Sequence, residues 1–108
     1  MTKNIGFIGC GKMAQAMIEG MIRSRVVQPE QIIASAKTET TLQNVSNKYG
    51  IEVTTDNIEV ARKANFLFLA VKPNLYGDII EEVKDEVQSA TIVITIAAGI
   101  SLDYMEKA

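Results

Sequence analysis

The sequence predicts an α/β domain of three layers, a doubly wound parallel sheet with helices on both faces. Three observations carry that reading. Segments of strand period and helix period alternate along all 108 residues, with no repeat, low-complexity tract or linker. Phe66 to Val71 is an unbroken apolar run, as expected of a parallel strand covered on both faces. The first apolar run, ending at Ile8, turns over at Gly9-Cys10-Gly11 directly into a helical segment. By length this is a single domain.

The elements follow in order. Asn4 to Ile8 reads as a buried strand, and the helix from Met13 to Ile22 carries Ala14, Met17, Ile18, Met21 and Ile22 on one face. Gly20 lies inside that helix, where glycine costs about 1 kcal/mol relative to alanine; a close contact with the sheet is the expected reason. Val26 to Gln31, with Pro29, is the return loop, and Ile32 to Ser35 is the second strand, closing a βαβ unit. Thr38 is placed to cap a helix running through Leu42, Val45 and Tyr49 to Gly50. Ile51 to Thr54 forms a short strand. Asp56 and Glu59 have the spacing of a capping box, opening a helix that runs to Lys63. After the Phe66 run, Pro73 suits a helix start, and Leu75, Ile79, Ile80, Val83 and Val87 make the apolar stripe of the longest helix. Thr91 to Ile96 reads as a buried β-branched strand, Ala97-Ala98-Gly99 as a turn of small residues, and Ser101 as the cap of a final helix.

Composition narrows function. With 47% apolar and 22% charged residues the chain is an ordinary globular protein. A net charge of −2 provides no general basic field, so neither nucleic acid nor an anionic membrane is an expected partner. The apolar runs are too short to span a bilayer. The chain starts almost at once on a strand, which argues against a signal peptide. Cys10 is the single cysteine, so no internal disulfide forms and a cytoplasmic setting is expected. Histidine is absent, which excludes His-based triads and His/Cys metal sites from this chain. No residue is assigned a catalytic role and no metal site is expected.

What remains is binding. Gly9, Gly11 and Ala14 fit the dinucleotide fingerprint G-x-G-x-x-G/A of a Rossmann-like fold. The first glycine makes the tight turn, the second lets the backbone approach a pyrophosphate, and the third position lets helix and strand pack closely. The same small residues also suit any tight βα turn. In doubly wound sheets ligands lie at the carboxyl ends of the strands. The first strand ends in the turn Gly9 to Met13, with Lys12 inside it. The second ends in Ser35-Ala36-Lys37-Thr38, with no acid at the strand end for a ribose 2′-hydroxyl. Ser35, Lys37 and Thr38 favour a 2′-phosphate, which points to NADP(H) with NAD(H) as the alternative, although Glu39 lies close by. The Ala70-Val71-Lys72-Pro73 segment either lies against the cofactor with Lys72 on an anion, or is a surface lysine before a helix-starting proline. The Ala97-Ala98-Gly99 turn either admits a flat nicotinamide ring or is simply tight. Cys10 sits at a helix N-terminus, where a lowered pKa is expected, yet no histidine base accompanies it and catalysis by this thiol is not expected. The helix-spaced methionines read as core filler, with Met13 at the turn the exception.

Ile5 to Ala14 (IGFIGCGKMA), Phe68 to Pro73 (FLAVKP) and Thr95 to Ile100 (TIAAGI) together resemble the N-terminal domain of pyrroline-5-carboxylate reductases, from the first strand to the last helix. The resemblance implies reduction of 1-pyrroline-5-carboxylate to L-proline with NAD(P)H. It implies that Ile8, Gly9, Cys10, Gly11, Lys12 and Met13 hold the pyrophosphate, Ser35 the 2′-phosphate side and Asn57 the adenosine portion. Ala70 to Pro73 and Ile96, Ala97 and Ala98 would line the nicotinamide end. Lys37 and Thr38 fall in a loop that varies in the family. It further implies a helical C-terminal domain, absent from these 108 residues, that forms a homodimer and supplies most of the substrate pocket; the chain alone is expected to be inactive. A β-hydroxyacid dehydrogenase-like reductase and a non-catalytic dinucleotide-binding module are the alternatives. The FLAVKP and AAG segments argue against the first of these.

Overall fold

Among the described residues five strands lie parallel in the order β3-β2-β1-β4-β5, with helices on both faces. The computed structural model describes residues 4–88 and 90–95. Strand β1 is Ile5–Ile8, followed by helix α1, Lys12–Arg23. A 3₁₀ turn, Pro29–Gln31, leads into β2, Ile32–Ser35, and α2 is Glu39–Tyr49. Strand β3, Glu52–Thr54, precedes α3, Asn57–Lys63, and β4 is Phe66–Leu69. A second 3₁₀ turn, Pro73–Leu75, opens α4, Tyr76–Val83, and β5 is Ile92–Thr95.

Each element has a local cause. Thr38 Oγ1 accepts from the Thr41 N–H and caps α2, which ends on Gly50 in the left-handed conformation at φ 72°. Asp56 caps α3 by accepting from the Ile58 N–H at 3.0 Å. The capping-box partner is different from the expected one. The Asp56 N–H donates to Thr54 Oγ1 at 3.0 Å, and Glu59 is engaged by Lys63. Helix α1 closes in a Schellman arrangement, the Val26 N–H reaching Met21 O and the Arg25 N–H reaching Ile22 O, with Arg25 at φ 61° where glycine is usual.

Two apolar clusters sandwich the sheet. On one face Phe7, Ile32, Ala34 and Phe68 pack with Ala14 and Ile18 of α1 and Val45 of α2. The Phe7 and Phe68 rings stack across β1 and β4 with centroids 4.8 Å apart. On the other face Ile8, Ile33, Leu67 and Leu69 pack with Val60, Ala61 and Ala64 of α3 or its end and Val83 of α4. The close approach of α3 depends on Gly6, where a Cβ would lie 2.7 Å from Val60 Cγ1 and 2.8 Å from Ala64 Cβ.

Three expectations are corrected. Helix α4 has eight residues and α1, with twelve, is the longer; Leu75 lies in the preceding 3₁₀ turn and Ile80 is exposed. Among the described residues strand β5 is the edge of the sheet rather than a buried strand, paired there with β4 alone, and Ile92 and Val93 are half exposed. Gly20 makes no contact with the sheet: it is exposed, and a Cβ there would meet nothing within 4 Å. Gly20→Ala is therefore expected to stabilise the domain by about 1 kcal/mol, read as a higher denaturation midpoint; an unchanged or lower midpoint would show a steric role that the space around Gly20 does not display. The turn after Thr95 and the helix expected from Ser101 lie outside the described residues.

Candidate functional site

The register of the sheet builds a level rim. Thr54, Ser35, Ile8, Leu69 and Thr95, the last residues of their strands, stand side by side in one row. The chain leaves β1 toward β2 and β3 on one side, and β4 and β5 lie on the other. The strand order therefore reverses between β1 and β4, and a crevice opens there, as in doubly wound folds generally. It is a cleft of about 1090 Å³. Ile8, Gly9, Cys10, Gly11 and Met13 line it from the β1 end, and Ser35, Lys37 and Thr38 from the β2 end. Asn57 contributes from α3, and Ala70, Val71 and Lys72 from the β4 end.

The glycine turn has two different demands. Gly9 is at φ 95°, and a Cβ there would lie 2.5 Å from the Ala70 carbonyl oxygen and 2.9 Å from Val71 Cγ1. The turn is stitched to both neighbouring strands: the Gly9 N–H donates to Ser35 O at 3.1 Å, and the Ala70 N–H donates to Ile8 O at 2.9 Å. Gly11 is the opposite case. Its missing side chain would project into open space, with nothing within 4 Å. Gly11 is also the N-cap of α1, and no side chain caps that first turn, nor does any acid lie in it. Helices α2 and α3, by contrast, are capped by their own side-chain oxygens and carry an acid in the first turn. The α1 N-terminus thus presents uncapped N–H groups and its positive dipole end beside a glycine without a side chain in the way, an arrangement suited to an anion. Gln15, which the sequence reading passed over, reaches back from α1 so that its Nε2 donates to the Cys10 carbonyl at 3.0 Å and braces the turn.

Cys10 corrects the expected acidity. It packs in the core cluster, and burial pushes its thiol up from the ordinary 9.0 to about 11. A raised folded-state value means that the neutral thiol stabilises the fold below about pH 9, and that this contribution is lost as pH rises toward 11. Iodoacetamide at pH 8 is expected to leave Cys10 unmodified in the folded chain and to alkylate it in denaturant. Rapid native alkylation would mean an accessible thiolate.

The β2 end also differs in detail. The Ser35 side chain is buried, and its hydroxyl donates to Asn57 Oδ1 at 2.6 Å. Asn57 Nδ2 in turn donates to Glu82 Oε1 at 3.0 Å. Thr38 Oγ1 is taken by the α2 cap, whereas Lys37 is exposed. Lys12 does not line the cleft, because it lies on the exposed side of the first turn. The Pro73 side chain and Ile96, Ala97 and Ala98 lie outside what is described. One whole wall escaped sequence reasoning: Leu75, Asp78, Ile79 and Glu82 come from α4 and its opening turn. No local spacing announces Glu82, which meets Asn57 from 25 residues away. Thr41, also on the cleft, was legible as the residue one helical turn beyond Thr38. Among the described residues no acid, cysteine or histidine cluster could hold a metal, and no helix is long and apolar enough to cross a membrane.

Comparison with known proteins agrees with this geometry. The family profile described as NADP oxidoreductase, coenzyme F420-dependent, matches residues 4–99. The chain is 42% identical over 107 residues to a pyrroline-5-carboxylate reductase of Methanosarcina acetivorans, covering 99% of this chain and 40% of that protein. It is 35% identical over 108 residues to the Escherichia coli pyrroline-5-carboxylate reductase, covering 100% and 40% respectively. A solved pyrroline-5-carboxylate reductase from Coxiella burnetii superposes with a TM-score of 0.83 at 33% identity, over 99% of this chain and 40% of that one. The chain therefore spans about two fifths of the length of these relatives.

Proposed function

This chain belongs to the family of coenzyme F420-dependent NADP oxidoreductases, and from that membership we propose that it is the dinucleotide-binding part of a pyrroline-5-carboxylate reductase, taking NADPH in preference to NADH. The observation that carries the reading is Gly11: a glycine whose absent side chain leaves clear space in front of an uncapped helix N-terminus, at the switch point of a parallel sheet. Similarity to pyrroline-5-carboxylate reductases over the whole chain supplies the substrate class. NADPH, when bound, supplies the hydride that reduces 1-pyrroline-5-carboxylate to L-proline.

The residues of this chain bind and orient. The Gly9 to Met13 turn holds the pyrophosphate through backbone N–H groups. Asn57 and Lys37 face the adenosine ribose and its 2′-phosphate, with Ser35 holding Asn57 from below. Ala70, Val71 and Lys72 wall the cleft toward the nicotinamide end; Pro73 and residues 96–98 are assigned there with them from the sequence resemblance alone. The chain has no histidine to move a proton near neutral pH. We accordingly assign the substrate pocket and the homodimer contact to the part of the relatives that this chain does not span. A buried, unpaired thiol at Cys10 suits a reducing compartment, and the cytoplasm is the setting we assign.

Titration of the chain with NADPH and with NADH, followed by the fluorescence of the reduced nicotinamide, tests the reading. Saturable binding of both with NADPH the tighter is the expected result. Saturation by neither cofactor at millimolar concentration, or NADH the tighter of the two, overturns it.

A further inference from the structure

Building on the dinucleotide reading above, we infer that Glu82 is a specificity-determining residue, a carboxylate on α4 that opposes a 2′-phosphate and keeps NADH competitive at this cleft. In dinucleotide folds the 2′-hydroxyl is read by an acid at the end of the second strand, roughly 20 residues beyond the glycine turn. That strand end here is Ser35, which carries no charge. The hydrogen bonds, however, run from Ser35 Oγ to Asn57 Oδ1 at 2.6 Å and from Asn57 Nδ2 to Glu82 Oε1 at 3.0 Å. A carboxylate only accepts, so the amide nitrogen must face Glu82 and the amide oxygen must face the serine. This fixes the amide orientation of Asn57, with one of its two N–H groups committed to Glu82. It also sets a negative charge two hydrogen bonds away from the strand end, on a side chain that is exposed and lines the same cleft.

The opposing charge is Lys37, exposed on the β2 side of the same cleft. A doubly charged 2′-phosphate is drawn by Lys37 and repelled by Glu82, whereas a 2′-hydroxyl is nearly indifferent to both. Asp78 and Lys72 also line the cleft, but of the charged lining residues only Glu82 is hydrogen-bonded to Asn57, and of the opposed pair only Lys37 was visible at the strand end.

The test measures dissociation constants of NADPH and NADH for the unaltered chain, Glu82→Gln and Glu82→Asp. Glutamine keeps an acceptor for Asn57 and removes the charge; aspartate keeps the charge and shortens the reach. The inference expects Glu82→Gln to raise the preference for NADPH over NADH about fivefold at physiological salt, the scale of one unit charge acting within a Debye length of a divalent anion. Glu82→Asp should leave that preference within about twofold of the starting value. An unchanged preference in Glu82→Gln overturns the inference. Equal weakening of both cofactors also overturns it, since that is the mark of a residue that only props Asn57. If the unaltered chain binds neither cofactor, the dinucleotide reading fails and this inference with it, a result distinct from normal binding with an unmoved ratio.

Discussion

Gly9→Ala is expected to destabilise the domain by about 4 kcal/mol and to lower its melting temperature by about 20 °C. Two costs add. An L-residue at φ 95° is held outside its allowed regions. The new methyl would also lie 2.5 Å from the Ala70 carbonyl oxygen, a backbone atom with little room to retreat. Ala70 is tied to Ile8 by its own N–H, and Gly9 to Ser35, so relief on one side breaks a strand-end hydrogen bond on the other. Gly6→Ala is the graded comparison. There the obstacles are Val60 Cγ1 at 2.7 Å and Ala64 Cβ at 2.8 Å, side-chain atoms of α3 and its C-cap rather than the backbone of a neighbouring strand end, and φ is not in the left-handed region. About 1–3 kcal/mol is the expected cost of that overpacking. Denaturant titration of the two variants settles the order. Gly9→Ala melting at or above Gly6→Ala would show that the β1 turn can re-form with a negative φ, and the strain argument would fail.

The contrast explains what the sequence could tell. Strand and helix period, the caps at Thr38 and Asp56, the glycine stop at Gly50 and the three stretches of strand-end residues were all legible, because each depends on neighbours within a turn or a pleat. Errors arose where an outcome depends on elements distant in sequence. The Thr91 to Ile96 run has the composition of a buried strand, and only strand order places its described part, Ile92–Thr95, at the edge of the described sheet. The apolar stripe from Leu75 to Val87 has helix period throughout, but the helix occupies only its middle, between a 3₁₀ turn and the residues after Val83. Cys10 lies at a helix terminus, where a lowered pKa is expected from sequence, but its burial in the core raises it. The α4 wall of the cleft and the Ser35–Asn57–Glu82 chain join residues 22 and 25 positions apart, so no pattern in a short window contains them. Gly20 illustrates the reverse error: a local rule asked for a reason, and the packing provides none.

Gly11→Val is expected to leave folding almost unchanged while weakening NADPH binding about a hundredfold. Both halves come from the same observation. An added Cβ meets nothing within 4 Å in the chain itself, so the γ-methyls start from open space, and the backbone at φ −80° and ψ −166° is extended, as β-branched residues prefer. Stability should therefore move by no more than about 1 kcal/mol, the range of N-cap preferences. The space the methyls would enter is, on the dinucleotide reading, where a pyrophosphate oxygen comes within about 2.9 Å of the α1 N–H groups. Carbon atoms at van der Waals distance hold that oxygen away. About two charge-assisted hydrogen bonds are then lost or stretched, and about 3 kcal/mol corresponds to the hundredfold change. Melting and NADPH titration on the same preparation separate the outcomes. A chain that melts normally and has lost NADPH places the pyrophosphate at this turn. A chain that melts normally and still binds NADPH as before puts the pyrophosphate elsewhere, and the glycine at position 11 would then be accommodating no more than a βα turn.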